Sequence, residues 1–230
     1  FGYALEDYEE LFEEKLDLFT LLRDETPVTW SGSTRAPLRG QEVFPHTESG
    51  RLTTWVGVGG SPQSVVRAAR HELPLVIAII GGESERFRPF VDLYHRVLDE
   101  SGSPRLPVAV HSPGHIAPTD REAREQLYPH FKAMRDRIGA ERGWGPMRPG
   151  EFEAMAGPGG SLYVGSPETV AAKIAATATA LDLSRFDLKY SAGSLPHDAM
   201  MRSIELYGTE VIPRVRELLT AAEETAPVGV

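Results

Sequence analysis

The sequence predicts an α/β protein built on a parallel sheet, and three observations carry that expectation. Short β-branched runs alternate with amphipathic helical segments along most of the 230 residues. Leu75–Ile80 is a continuous apolar run without alternation, as in a strand covered on both faces. Gly-Ser-Pro turns open a helix at two places, Gly60–Pro62 and Gly165–Pro167, the first of them directly after a strand. Strand–helix–strand order implies right-handed crossovers between parallel strands. Four such strands are too few to close a barrel, which leaves an open sheet or the second half of an eight-stranded barrel.

The elements follow in order. Leu5, Tyr8, Leu11, Phe12, Leu16, Phe19 and Leu22 recur at helical spacing, predicting a helix over 5–23 that ends before Pro27. Residues 27–51 carry Pro27, Gly32, Pro37, Gly40, Pro45 and Gly50 and read as surface loop. A strand at 53–58 runs into a helix at 62–71, followed by the strand at 75–80. Ser84 caps a helix bearing Phe87, Phe90, Val91, Tyr94 and Leu98, and Pro107–Ser112 is a third strand. Thr119-Asp-Arg-Glu122 is a capping box that opens a helix to about Ile138. The Gly/Pro-rich stretch 143–160 holds a short helix around Glu151–Ala156. Ser166 opens a helix to Leu181, Arg185–Tyr190 is the fourth strand, and a last helix runs from Pro196 to Leu219, interrupted at Pro213.

Composition narrows the function. Hydrophobic residues make up 41%, there is no cysteine, and the net charge is −9. Disulfides and thiolate metal sites are excluded. The acidic balance argues against nucleic acid. No apolar run is long enough for a membrane span. A cytoplasmic enzyme is the expectation. The chain opens without Met directly into an amphipathic helix that must bury its stripe on something, so the expectation is a fragment of a longer protein that lacks its N-terminal part.

The turn after the first strand reads as a phosphate seat. Gly59, Gly60, Ser61 and Ser64 offer backbone N–H groups and hydroxyls at a helix N-terminus, with Arg67 and Arg70 on that helix. The echo at Gly165–Val170 carries Glu168 in its first turn. That suits the helix dipole but repels a phosphate, so the second turn reads as structural. Either turn has a plain alternative as a helix start, with Ser as N-cap and Pro at the first helical position.

Several stretches together resemble one family. They are Trp55-Val-Gly-Val-Gly-Gly-Ser-Pro62 with Ser64-Val-Val-Arg-Ala-Ala-Arg70, Leu73-Pro-Leu75, Val164-Gly-Ser-Pro-Glu-Thr-Val170 with Lys173-Ile174, Arg185-Phe-Asp-Leu-Lys-Tyr190 and Ser203-Ile-Glu-Leu-Tyr-Gly208. With Asp7–Leu18 and Val28–Gly32 they resemble the bacterial luciferase-like flavin-dependent monooxygenases, in the family's order along nearly the whole chain. The resemblance implies a (β/α)8 TIM barrel, of which this chain holds the C-terminal portion. It makes residues 1–230 a single, partial barrel domain with strands five to eight and an insertion, 113–165, after strand seven.

It further implies flavin phosphate on Val58, Gly60, Ser61 and Ser64. At Gly60 the side-chain contact of some relatives is lost and only backbone remains. Ala78 and Ile79 match positions against the isoalloxazine ring, with barrel core as the alternative for Ala78. The implied cofactor is reduced FMN, delivered by a separate flavin reductase, with O2 and a small organic substrate. Coenzyme F420 on the same barrel is the alternative, and a non-catalytic partner subunit or a sugar-phosphate enzyme are further readings. A homodimer is expected.

The reacting groups are less legible. The histidine that relatives carry on an early strand has no counterpart here. His111 ends the third strand, where barrel sites lie, and is the candidate for contact with substrate or flavin; a satisfied structural histidine is the competing reading. His115 is four residues on, but Pro113 and Gly114 intervene, and no metal site is expected. Asp187 and Lys189 share a strand face and read as a structural pair, with contact between Lys189 and a substrate anion as the alternative. Ser191 sits in a turn at the rim and is a substrate candidate.

Overall fold

A computed structural model describes residues 2–24, 26–48 and 50–225. The chain falls into two compact units, residues 1–55 and 56–230.

In the first unit, a 3-10 turn at Leu5–Asp7 leads into helix α1, Tyr8–Leu22. Its one buried residue, Leu18, lies outside the expected apolar stripe, of which Tyr8 and Phe19 are exposed. The segment expected to be loop contains an antiparallel pair, β1 (Val28–Trp30) and β2 (Leu38–Gln41). These strands are short, each directly preceded by a proline, and β2 contains Gly40, so no alternation betrays them. The Glu14 carboxylate accepts from the Thr34 hydroxyl and from the Ser33 and Thr34 N–H groups. Those bonds, the Thr34 hydroxyl first, hold its pKa down at about 2.

The second unit carries the expected parallel sheet. β3 (Val56–Val58), β4 (Leu75–Ala78), β5 (Val108–Ile116) and β7 (Arg185–Lys189) pair side by side in that order, all parallel. The helices stand between them: α2 (Pro62–Arg70), α3 (Arg88–Ser101) after a 3-10 turn at Ser84–Phe87, then α4 (Asp120–Arg142), α5 (Pro149–Ala156) and α6 (Pro167–Leu181). α4, α5 and β6 (Tyr163–Gly165) all stand between β5 and α6. The sequence gives no hint of β6, whose three residues end a Gly/Pro-rich stretch. β5 also runs past Ser112 through Pro113 and Gly114, and its last residues, Gly114–Ile116, pair with β6.

The last helical run bears out the interruption expected at Pro213. α7 (His197–Leu206) passes through a π-helical turn, Tyr207–Val211, into α8 (Ile212–Thr225). A proline cannot donate to the carbonyl four residues back, and its ring crowds that carbonyl. Widening the preceding turn relieves the clash.

Register divides the sheet into two faces. Residues in register point the same way, and neighbours along a strand point opposite ways. The row Val58, Ile77, Val110 is fully buried, and Phe186, next in that row, packs with Ile116, Tyr163, Ile174 and Val211. The opposite face carries Gly57, Val76, Ala78, Ala109, His111, Asp187 and Lys189 and, apart from the buried Ala109, stays open to solvent in whole or part. One row across it reads Ala78, His111, Asp187.

Candidate functional site

The turn after β3 is open. Gly60 has φ +121°, a conformation that glycine adopts without the steric cost a Cβ adds. A Cβ built on Gly59 would meet nothing within 4 Å, and one on Gly60 only the Phe87 ring at 3.9 Å. No turn or cap bond engages the N–H groups of Gly59, Gly60 or Ser61. Ser61 is the N-cap of α2. Its Oγ accepts from the Ser64 N–H at 3.4 Å and donates to the Gln63 Oε1 at 2.9 Å. Val58 is buried beneath the turn, whereas Gly59, Gly60 and Ser61 are exposed and Ser64 is half-buried. Pro62 occupies the first helical position and no acid stands in the first turn.

The turn after β6 has the same local design and is closed. Asp120, the first residue of α4, reaches across to it. Its Oδ1 accepts from the Ser166 N–H at 2.7 Å and its Oδ2 from the Thr169 hydroxyl at 3.0 Å. A Cβ on Gly165 would lie 2.6 Å from that Oδ1. An internal carboxylate thus sits where an external anion would bind. Burial alone would raise the Asp120 carboxyl, but the bonds from Ser166 and Thr169 outweigh it and hold it below its ordinary range. The turn is structural as read, for a different reason. Glu168 faces away into an ion pair with Arg214 at 3.1 Å, and the guard is Asp120.

The ring-contact candidates separate. Ala78 lies half-buried on the open face, beside His111. Ile79 is fully buried, its N–H donating to the His111 carbonyl at 2.9 Å and its carbonyl accepting from the Ser112 hydroxyl at 2.9 Å. Ile79 therefore offers no surface to a ligand. Ser191 is exposed just beyond β7. Asp187 pairs with Arg185 at 2.8 Å, where the sequence suggested Lys189.

His111 and His115 have different surroundings. His111 is half-buried on the open face. His115 is fully buried, with its Nε2 2.8 Å from the Gln126 Oε1; the Gln126 amide nitrogen in turn donates to Glu122 at 2.9 Å. That order of donors makes His115 the Nε2–H tautomer and leaves its Nδ1 a buried acceptor without a partner. Burial pushes its pKa down. Among the described residues no cluster suits a metal ion, and no helix is long and apolar enough to cross a membrane.

Residues 1–183 match the sequence model of the luciferase-like monooxygenases. The chain belongs to that family. No curated protein matches it in sequence. Several solved structures share its fold at low identity. Monooxygenase RslO1 from Streptomyces bottropensis is 18% identical with a TM-score of 0.73, over 91% of this chain and 62% of that one. The oxygenating constituent of 3,6-diketocamphane monooxygenase from Pseudomonas putida, solved with FMN, is 19% identical with a TM-score of 0.59, over 90% and 64%. An F420-dependent secondary alcohol dehydrogenase, solved with an F420–acetone adduct, is 15% identical with a TM-score of 0.65, over 94% and 64%. This luciferase-like chain therefore spans less than two thirds of the length of each. Its α/β architecture is that of part of a (β/α) barrel.

Proposed function

We propose that this chain is part of a flavin-dependent oxidoreductase that acts on a small organic substrate with reduced FMN and O2. The observation that carries the reading is the open Gly59–Ser61 turn. It combines free N–H groups, a helix N-terminus and the absence of any internal carboxylate, all at the C-terminal end of a parallel strand. A phosphate there would accept from the Gly60 and Ser61 N–H groups and the Ser61 and Ser64 hydroxyls. The positive end of α2 favours its charge.

From β3 to β5 the sheet crosses two strand spacings, about 10 Å. A ligand seated by its phosphate at Gly60 thus extends over Ala78 towards His111. Ala78 is small and half-buried, which lets a flat ring approach the sheet. When bound, the flavin supplies the oxygen or hydride chemistry. The protein's part is to hold the phosphate, floor the ring and keep His111 at the reacting edge. The Nε2 or Nδ1 of His111 then holds or passes a proton to the substrate. Delivery of reduced FMN by a separate reductase fits an open, exposed turn. Coenzyme F420 is the second reading, supported by the fold shared with the F420-dependent alcohol dehydrogenase.

Mixing the protein with excess FMN or F420, desalting, and recording the visible spectrum tests this reading. Retained FMN that is lost in Ser61→Ala/Ser64→Ala supports it. Retention of F420 alone moves the assignment to the deazaflavin, and retention of neither rejects both.

A further inference from the structure

The open face carries two cations along β7, Arg185 and Lys189, and a single acid, Asp187, that Arg185 already holds. β7 sets Arg185, Asp187 and Lys189 on that face. Asp187 is the one carboxylate that β3, β4, β5 and β7 place there, and Arg185 holds it at 2.8 Å. Lys189, opposite Pro113 near the C-terminal end of β5, is half-buried and makes no ion pair among the described residues. His111 stands one residue pair below it on β5 with its ring likewise uncommitted. The floor between these groups and β3 is small and apolar: Val76 and Ala78.

Resting on the flavin reading above, we infer that the substrate of this face is a small organic carboxylate with a flat apolar body. Its anion is received by Lys189 and its body lies over His111 and Ala78. The arrangement follows from separation. The phosphate seat follows β3, and Lys189 ends β7, three strand spacings or about 14 Å away across the sheet. The two anion-binding positions therefore serve different molecules or different ends of one assembly. A half-buried ammonium is worth more to a carboxylate than an exposed one, because less water screens it. Neutral substrates gain nothing from it.

The test uses benzoate and its neutral isostere benzamide as probes, with binding followed by saturation-transfer NMR on wild type, Lys189→Met and Lys189→Arg. The same samples are assayed for FMN retention and thermal midpoint. The expected result is saturable benzoate binding at least tenfold tighter than benzamide. That preference is lost in Lys189→Met and kept in Lys189→Arg, with unchanged thermal midpoints. Equal affinity for the two probes, no benzoate binding, or a Lys189→Met protein that still prefers benzoate overturns the inference. FMN retention is read separately. Lys189-dependent benzoate binding without FMN retention leaves the carboxylate site standing and removes the flavin reading. FMN retention without it does the reverse.

Discussion

Two turns of this chain share the sequence Gly-Ser-Pro, a Ser N-cap and the same place after a parallel strand, yet one is closed by an internal carboxylate and the other is open. After β6, the Asp120 carboxylate fills the helix N-terminus and bonds both Ser166 and Thr169. After β3, no carboxylate among the described residues fills it. A helix N-terminus attracts anions wherever it occurs. What separates a binding site from a structural joint is whether the fold has already supplied the anion. Here the difference lies in a residue 46 positions from Ser166, which no local motif contains.

The comparison can be broken most forcefully at Asp120. Asp120→Ala removes two charge-assisted bonds and strands the Ser166 N–H, so it should cost about 2–4 kcal/mol of stability. A urea titration measures it. Added inorganic phosphate should recover part of that loss, because the opened turn then resembles the first. Acid should produce the same effect in the unmutated protein. The folded-state pKa of Asp120 is depressed, so its contribution is complete above the ordinary carboxyl pKa of 3.8 and is lost as pH falls through the lower folded value. Denaturant midpoints of wild type should therefore drop below pH 4 more steeply than those of Asp120→Asn.

Filling the first turn is the complementary experiment. Ser64→Asp puts a carboxylate in the first turn of α2, where the dipole favours it by about 0.5 kcal/mol. The melting temperature should hold or rise slightly while FMN retention falls at least tenfold. The smallest effect belongs to Glu168→Gln. Its ion pair with Arg214 is exposed and is worth at most about 0.5 kcal/mol. Phosphate should gain no hold on the second turn in that variant. A phosphate-dependent stabilisation of Glu168→Gln would restore Glu168 as the guard.

These turns also mark how far the sequence could be read. Helices α2 and α6 are legible to within a residue, because Ser at the cap and Pro at the first helical position are local signals. The interruption of the last helix is legible from Pro213 alone, but its form as a π turn is not. β1, β2 and β6 are not, since three or four residues beside Gly and Pro are too few to show a period. The continuation of β5 past Ser112 defeats the rule that proline ends a strand, because Pro113 lies just beyond the paired end of β4. Within the site, the openness of the first turn could be expected from its lack of acids, and Ala78 and His111 do share a face. Ile79 could not be separated from Ala78 without the register, which sends neighbouring residues to opposite sides. Asp120 was visible only as part of a capping box. Its second role depends on α4 starting beside the end of β6, a tertiary fact.

The most direct test is the thermal midpoint of wild type and Ser64→Asp with and without inorganic phosphate. If the turn after β3 is the anion seat, phosphate raises the midpoint of wild type and leaves Ser64→Asp unmoved, although both proteins are equally folded. Equal shifts in the two proteins, or no shift in wild type, would contradict the account.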